Sequence, residues 1–269
     1  MEITWYGTAS LILREGDSAI AFDPFFDLPV GCFANKALVS LPKDDFRAVT
    51  DVFVTHGHFD HIYYLPELCG VLPFRIHCTP APRKTLIRRG VSPERITPAA
   101  AGRTDSVPPF TITAYQSRHC RYTLPTILQT VFRRGFFRHP IHLLRLLREM
   151  LCCPEKGEIL LYEVSWAGKR IQILGSLGLD ENTEYPTGAD ILILPFQGRS
   201  DLETYALGIV KRLKPRRVLL DHYDNTFPPI SDEIPTENFI KILNEQERIP
   251  CGAMVKGRDV YFETEKTLG

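Results

Sequence analysis

His56-Gly57-His58-Phe59-Asp60-His61 gathers three of the chain's eight histidines and a carboxylate into six residues. Histidine and carboxylate are the usual non-thiolate ligands of zinc and related transition metals. Buried this close together without a metal, they would repel and desolvate one another. Gly57 permits the tight backbone that lets neighbouring side chains converge. Directly before it, Asp51-Val52-Phe53-Val54 reads as a buried strand, whose end would present the histidines rigidly at a sheet edge. A polar loop with chance histidines is a poor account of such spacing.

Working outward, the first third reads as short strands joined by tight turns. Ile3 and Trp5, then Leu11 and Leu13, keep a period of two, and Glu15-Gly16-Asp17 is a turn signal. Ser18 to Phe22 leads to Asp23-Pro24, with further strands at Phe74 to Cys78 and Phe110 to Tyr115. The second half repeats this grammar with Ile159 to Trp166, Lys169 to Leu174 around an Ala167-Gly168 hairpin, and Ala189 to Leu194. A helix follows, with Ser200 as N-cap and Glu203 completing a capping box. Leu202, Ala206, Ile209, Val210 and Leu213 share one face, and Pro215 marks the end. Arg217 to Leu220 returns as a strand, Glu237 to Glu247 is a second amphipathic helix, and a strand pair is expected around Lys256-Gly257. Two β-rich halves carrying helices predict two sheets packed face to face with helices outside, an α+β class. With no linker of biased composition, one domain over 1–269 is expected.

The chain has 269 residues, 44% hydrophobic and 24% charged, an ordinary globular composition. Lys+Arg and Asp+Glu are both 32, a formal net charge of zero, which argues against a nucleic-acid partner. No stretch approaches the ~18 apolar residues that span a membrane. The N-terminus runs straight into strand-like sequence without a signal-peptide pattern. Seven cysteines without a C-x-x-C pair speak against a disulfide framework or a thiol-rich zinc site. The reading is a cytoplasmic protein with reduced thiols.

His56, His58, Asp60 and His61 form an H-x-H-x-D-H motif, and with it the chain resembles the metallo-β-lactamase-fold superfamily of metal-dependent hydrolases. Trp5-Tyr6-Gly7-Thr8-Ala9-Ser10 most resembles the subgroup of ascorbate-phosphate lactonases and N-acylphosphatidylethanolamine phospholipases. The resemblance implies a four-layer αββα sandwich with metals at one end of the sheets. It implies that His56 and His58, joined by a third histidine, hold a first metal. His119, after the strand Phe110 to Tyr115, is the candidate, with His77 its rival. Asp60 and His61, completed by His222, would hold a second, with Asp23 steadying the histidine loop. Zinc is favoured, one or two ions per chain, with manganese and iron open.

One departure stands out. Relatives carry a Gly-Asp pair whose Asp bridges the metals; the matching stretch here is Leu174-Gly175-Ser176-Leu177-Gly178. A hydroxyl supplies neither the charge nor the two oxygens of a carboxylate. Three outcomes are open: Asp180 reaches back as a substitute ligand, water or substrate alone makes the bridge and leaves the second site weak, or the site holds one metal with little hydrolytic activity. Asp180 as a helix N-cap or surface residue is the competing reading of that residue. Two functions follow. The first is a hydrolase in which a metal lowers the pKa of its water toward ~7 and the resulting hydroxide attacks an ester, lactone or phosphoester, with Asp60 orienting the nucleophile or taking its proton. The alternative is a non-catalytic or regulatory metal-binding chain with an impaired second site. Cys120 beside His119 is not expected to act as a nucleophile.

Residues 124–157 break the pattern. The segment turns helical and apolar, with Leu143, Leu144, Leu146, Leu147, Met150 and Leu151 among Arg133, Arg134, Arg138, Arg145 and Arg148. It reads as an inserted helical cap with snorkelling arginines, or as a lid admitting an anionic or amphiphilic small molecule. Phe132 to Arg138 would also suit an anionic membrane surface, and dimerisation is equally compatible. Arg118 and Arg121 are candidates to clamp a phosphate or carboxylate. Phe227-Pro228-Pro229 reads as a pocket wall or a rigid loop.

Overall fold

Alternation at period two governs β1 (Glu2–Gly7), β2 (Ser10–Glu15) and β3 (Ser18–Phe22). Ile3, Trp5, Leu11, Leu13, Ile20 and Phe22 face inward, and Ile12, Ala19 and Ala21 face outward. These strands pair antiparallel. The sheet then grows in parallel through β4 (Val49–Phe53), β5 (Arg75–Cys78) and β6 (Ile96–Pro98). The computed structural model describes residues 1–26, 42–120, 140–153, 157–227 and 231–262. Arg121, Arg133, Arg134, Arg138 and Pro228-Pro229 lie outside the described residues, as does 124–139 of the proposed insertion.

The second sheet comprises β7 (Thr104–Val107), β8 (Phe110–Ser117), β9 (Ile159–Trp166), β10 (Lys169–Leu174), β11 (Ile191–Pro195), β12 (Val218–Asp221) and β13 (Cys251–Ala253). Its order is β13-β12-β11-β10-β9-β8-β7. All five residues of β11 are buried: Ile191 and Ile193 point between the sheets, Leu192 and Leu194 toward the helices. A strand covered on both faces reads as a continuous apolar run for that reason.

Three apolar layers separate four structural ones. Between the sheets lie Trp5, Phe22, Phe53, Phe110, Tyr162, Ile173 and their neighbours. Outside the first sheet, α1 (Phe59–Ile62), α2 (Leu65–Cys69), α3 (Pro80–Arg88) and α4 (Pro140–Cys152) cover Val52, Val54 and Ile76. Outside the second, α5 (Leu202–Leu213) and α6 (Glu237–Lys241), which runs on as a π turn over Ile242–Glu247, cover Leu192, Leu220 and Val218. Each fully buried Leu or Ile contributes about 1.5–3 kcal/mol. This is the αββα sandwich. No helix among the described residues is long and apolar enough to cross a membrane.

Two local expectations are corrected. The final strands do not pair with each other: β13 joins β12, whereas β14 (Asp259–Tyr261) crosses over to the free side of β1. Gly257 donates its N–H to the Trp5 carbonyl at 2.8 Å, so the Lys256-Gly257 turn carries the chain from one sheet to the other. Helix α5 starts at N-cap Asp201, not Ser200, and has no side-chain cap. The Asp201 carboxylate is held instead by Arg199, at 2.7 and 2.8 Å, and Glu203 accepts from the Asn238 amide.

Candidate metal centre

Strands β3 and β4 are parallel, as are β10, β11 and β12, and two antiparallel steps make β8 parallel to β10. Their C-terminal ends therefore fall at one end of the sandwich. Asp23, His56, His119, Ser176, Gln197 and His222 all lie just beyond those ends. The sheets meet here directly, through Leu160 N–H to the Thr55 carbonyl at 2.9 Å and the Tyr162 hydroxyl to the Val54 carbonyl at 3.0 Å.

Asp23 pins the histidine loop. Its Oδ1 accepts the Thr55 N–H at 2.8 Å, and its Oδ2 accepts the Thr55 hydroxyl. The same Oδ2 lies 2.8 Å from His61 Nδ1, so the other face of that ring, Nε2, turns toward Asp60 at 3.8 Å. His56 is held at Nδ1 by Thr55 Oγ1 at 3.0 Å, and its Nε2 lies 3.1 Å from His58 Nδ1. His119 is fixed by its Nδ1–H, which donates to the Cys120 carbonyl at 2.8 Å. One nitrogen from each of His56, His58 and His119 lies within 4.8 Å of the others. Asp60, His61 and His222 form a second such group. The His56 and His61 rings are 4.0 Å apart, so the two groups adjoin.

His222 reaches the second group from a left-handed backbone, φ 54°, donating its N–H to the Thr8 carbonyl at 3.0 Å. Thr8 (φ 51°) and Asp23 (φ 42°) share that conformation. For non-glycine residues it costs of order 1–3 kcal/mol each. It persists because hydrogen bonds over-determine it; the Asp224 carboxylate, for example, accepts the Thr8 N–H at 3.0 Å.

Burial pushes the His56 pKa well below the ordinary histidine value, and neighbouring His61 and His58 push it further, leaving a neutral ring with a lone pair to give. Burial also lowers His58. For Asp60, burial favours the neutral acid, but His61 and His222 outweigh it and hold the carboxyl well below its ordinary range. At His61 burial disfavours the charged ring, but the Asp23 and Asp60 carboxylates outweigh it and raise its pKa, so an ion bound there would displace a proton from that ring. An ionised carboxylate with deprotonated imidazoles is the donor set a transition metal requires. The residues present fit two ions.

Every member of the two groups except His56 lines one cavity of about 230 Å³, whose walls include Phe59, Met150, Leu177 and Phe227. Ser176 lines it too, and its Oγ accepts the Cys120 N–H at 3.1 Å. Gly175 is required there: a Cβ would stand 1.8 Å from Thr55 Oγ1. Asp180 is not brought to the site. Its carboxylate pairs with Arg118 Nε at 2.7 Å and accepts the Asn182 N–H at 2.9 Å, closing a turn. That pair also turns Arg118 away from a clamping role. His77 belongs to neither group; its Nε2 lies 2.7 Å from Asp51 and its ring stacks on Phe53 at 4.3 Å. Phe227 and Cys120 both line the cavity.

Sequence reasoning missed two neighbours of His222. Gln197, beyond β11, places its amide nitrogen 2.7 Å from His222 Nε2. Asp221 is fully buried, with both carboxyl oxygens lacking a hydrogen-bond partner, and burial raises its pKa well above the ordinary value. Only the position of Gln197 after a buried strand pointed to it.

Residues 19–134 match the family described as the Beta-lactamase superfamily domain. A UPF0173 metal-dependent hydrolase of Mesorhizobium japonicum is 28% identical over 119 residues, covering 44% of this chain and 48% of that protein. The matched stretch thus spans about half of that relative's length. A metallo hydrolase from the archaeon Ignicoccus hospitalis superposes with a TM-score of 0.64 at 19% identity, covering 98% of this chain and 99% of that one. Zn2+-bound PqqB from Methylobacterium extorquens gives 0.57 at 16% identity, covering 94% and 87%.

Proposed function

We propose that this chain, whose fold is that of the metallo-β-lactamase superfamily, is a metal-dependent hydrolase. The observation that carries this reading is the meeting of two ligand groups, His56/His58/His119 and Asp60/His61/His222, at one cavity. Bound ions would supply Lewis acidity and a water acidified toward neutral pH. The protein's own contribution is orientation. Asp23 and Thr55 set the rings of His61 and His56, the Cys120 carbonyl sets His119, and Asp60 is held ionised to position the attacking water. Imidazole-rich ligation favours zinc, with manganese or iron as the alternatives.

The substrate proposed is an ester, lactone or phosphoester with an apolar part. Phe59, Met150, Leu177 and Phe227 offer it apolar walls. The competing reading, a chain with an impaired second site, is favoured by Ser176, whose hydroxyl is engaged by Cys120. The test is a panel of ester, lactone and phosphoester substrates against protein stripped with chelator and reloaded with zinc. Turnover should appear on reloading and fall at least about a hundred-fold in His58→Ala, as for a group acting in the chemical step. Turnover that survives stripping or His58→Ala would refute metal-dependent catalysis here.

A further inference from the structure

The group Asp60/His61/His222 supplies three ligands, and an ion held there has room for a further ligand from a side chain, water or substrate. Three side chains nearby are already committed or turned elsewhere. Ser176 Oγ accepts the Cys120 N–H, Asp180 is paired with Arg118, and Asp221 does not line the cavity. Gln197 is different. It lies just beyond β11, level with His222 beyond β12, it lines the cavity, and its amide nitrogen stands 2.7 Å from His222 Nε2. His222 Nε2 is also the atom 3.5 Å from Asp60 Oδ2, so it is the ring nitrogen turned toward the second group.

A primary amide has two chemically opposite ends related by a half-turn about its last side-chain bond. While the Nε2 lone pair of His222 is free, the amide N–H donates to it. Once that lone pair is given to a cation, the N–H would face positive charge, and the half-turn presents the amide oxygen instead. Side-chain amide oxygens ligate metals in proteins. We propose that Gln197, through its amide oxygen, is a fourth protein ligand of the second metal site, beside His222. Having one carboxylate, Asp60, and no second anionic ligand, that site holds its ion more weakly than a two-carboxylate site.

The inference rests on the metal-binding reading above, and the experiment separates the two. Zinc stoichiometry is measured by plasma mass spectrometry after dialysis, and stepwise affinities by competition with a chromophoric chelator. The parent should bind two ions with separable affinities. Gln197→Leu should keep the first and weaken the second by about ten- to a hundred-fold. Gln197→Glu, of equal length and carrying a carboxylate, should bind the second at least as tightly as the parent. A Co2+ titration should show the second-site absorption band altered in Gln197→Leu and the first unchanged. Two ions held with parental affinities by Gln197→Leu would overturn the role of Gln197 and leave the metal reading standing. A parent that binds a single ion would also overturn it, and a parent that binds none would overturn both.

Discussion

At the scale of single residues, the site is built by close approach and by backbone strain. Gly175 permits β10 to end against Thr55, the residue through which Asp23 holds the histidine loop. Gly175→Ala should therefore destabilise the fold by about 1–3 kcal/mol through overpacking, read as a lowered urea midpoint, and weaken zinc binding with it. Gly208 is the contrast. It lies within α5, and a Cβ there would meet nothing within 4 Å. Gly208→Ala should stabilise by about 0.5–1 kcal/mol from helix propensity; a loss at Gly208, or no change at Gly175, would contradict this account. Much of the site was legible because histidine and aspartate at H-x-H-x-D-H spacing carry chemistry in their identity. His119 and His222 came from the family resemblance, which asks for a histidine past each of two later strands, and the structure brings each beside the motif. Asp180 misled because a carboxylate four residues from Ser176 looks available until Arg118 is seen to hold it. Gln197 carries no motif, and the left-handed turns at Thr8, Asp23 and His222 have no glycine to announce them.

At the scale of elements, strands were legible wherever burial on both faces or strict alternation left a signal, as in β3, β9 and β10, whose bounds match the sequence reading. What failed was pairing and capping. Nothing in Cys251–Ala253 or Asp259–Tyr261 says that each edges a different sheet, and Asp201 lost its cap to an arginine two residues away. Helix α4 divides its apolar residues sharply. Leu146 is 7% exposed against the first sheet and Leu151 80% exposed. Leu146→Ala should cost about 2–5 kcal/mol and Leu151→Ala less than about 0.5, as measured by chemical denaturation. Equal costs would mean that the helix seats on another face. Between elements, the Asp51–His77 contact ties β4 to β5. Burial alone would raise the Asp51 pKa, but hydrogen bonds with His77 and Thr50 outweigh it, and the net shift is below the ordinary 3.8. A depressed carboxylate contributes stability above its unfolded pKa and loses it as pH falls through the folded one. Asp51→Asn should thus be less stable than the parent at neutral pH, with the gap closing in acid below that value. A gap that widens on acidification would reverse the assignment.

At the scale of the whole molecule, the sandwich aligns six strand ends from two sheets, and the candidate metal centre is where those sheets are joined. Ions that bind only the folded chain should stabilise it by mass action, about 2.7 kcal/mol at a hundred-fold excess over the dissociation constant. The thermal midpoint should therefore rise with added zinc and fall with chelator. The four-layer architecture was legible because it follows from two halves of strands and outer helices; the meeting of Gly175 with Thr55 was not, since it joins residues 120 positions apart in the chain. The most direct test of the account is anomalous diffraction at the zinc edge from crystals grown with zinc. The account predicts two peaks in the cavity, one within ligand distance of His56, His58 and His119, the other of Asp60, His61 and His222. Peaks confined to other surfaces, with both groups of ligands empty, would contradict it.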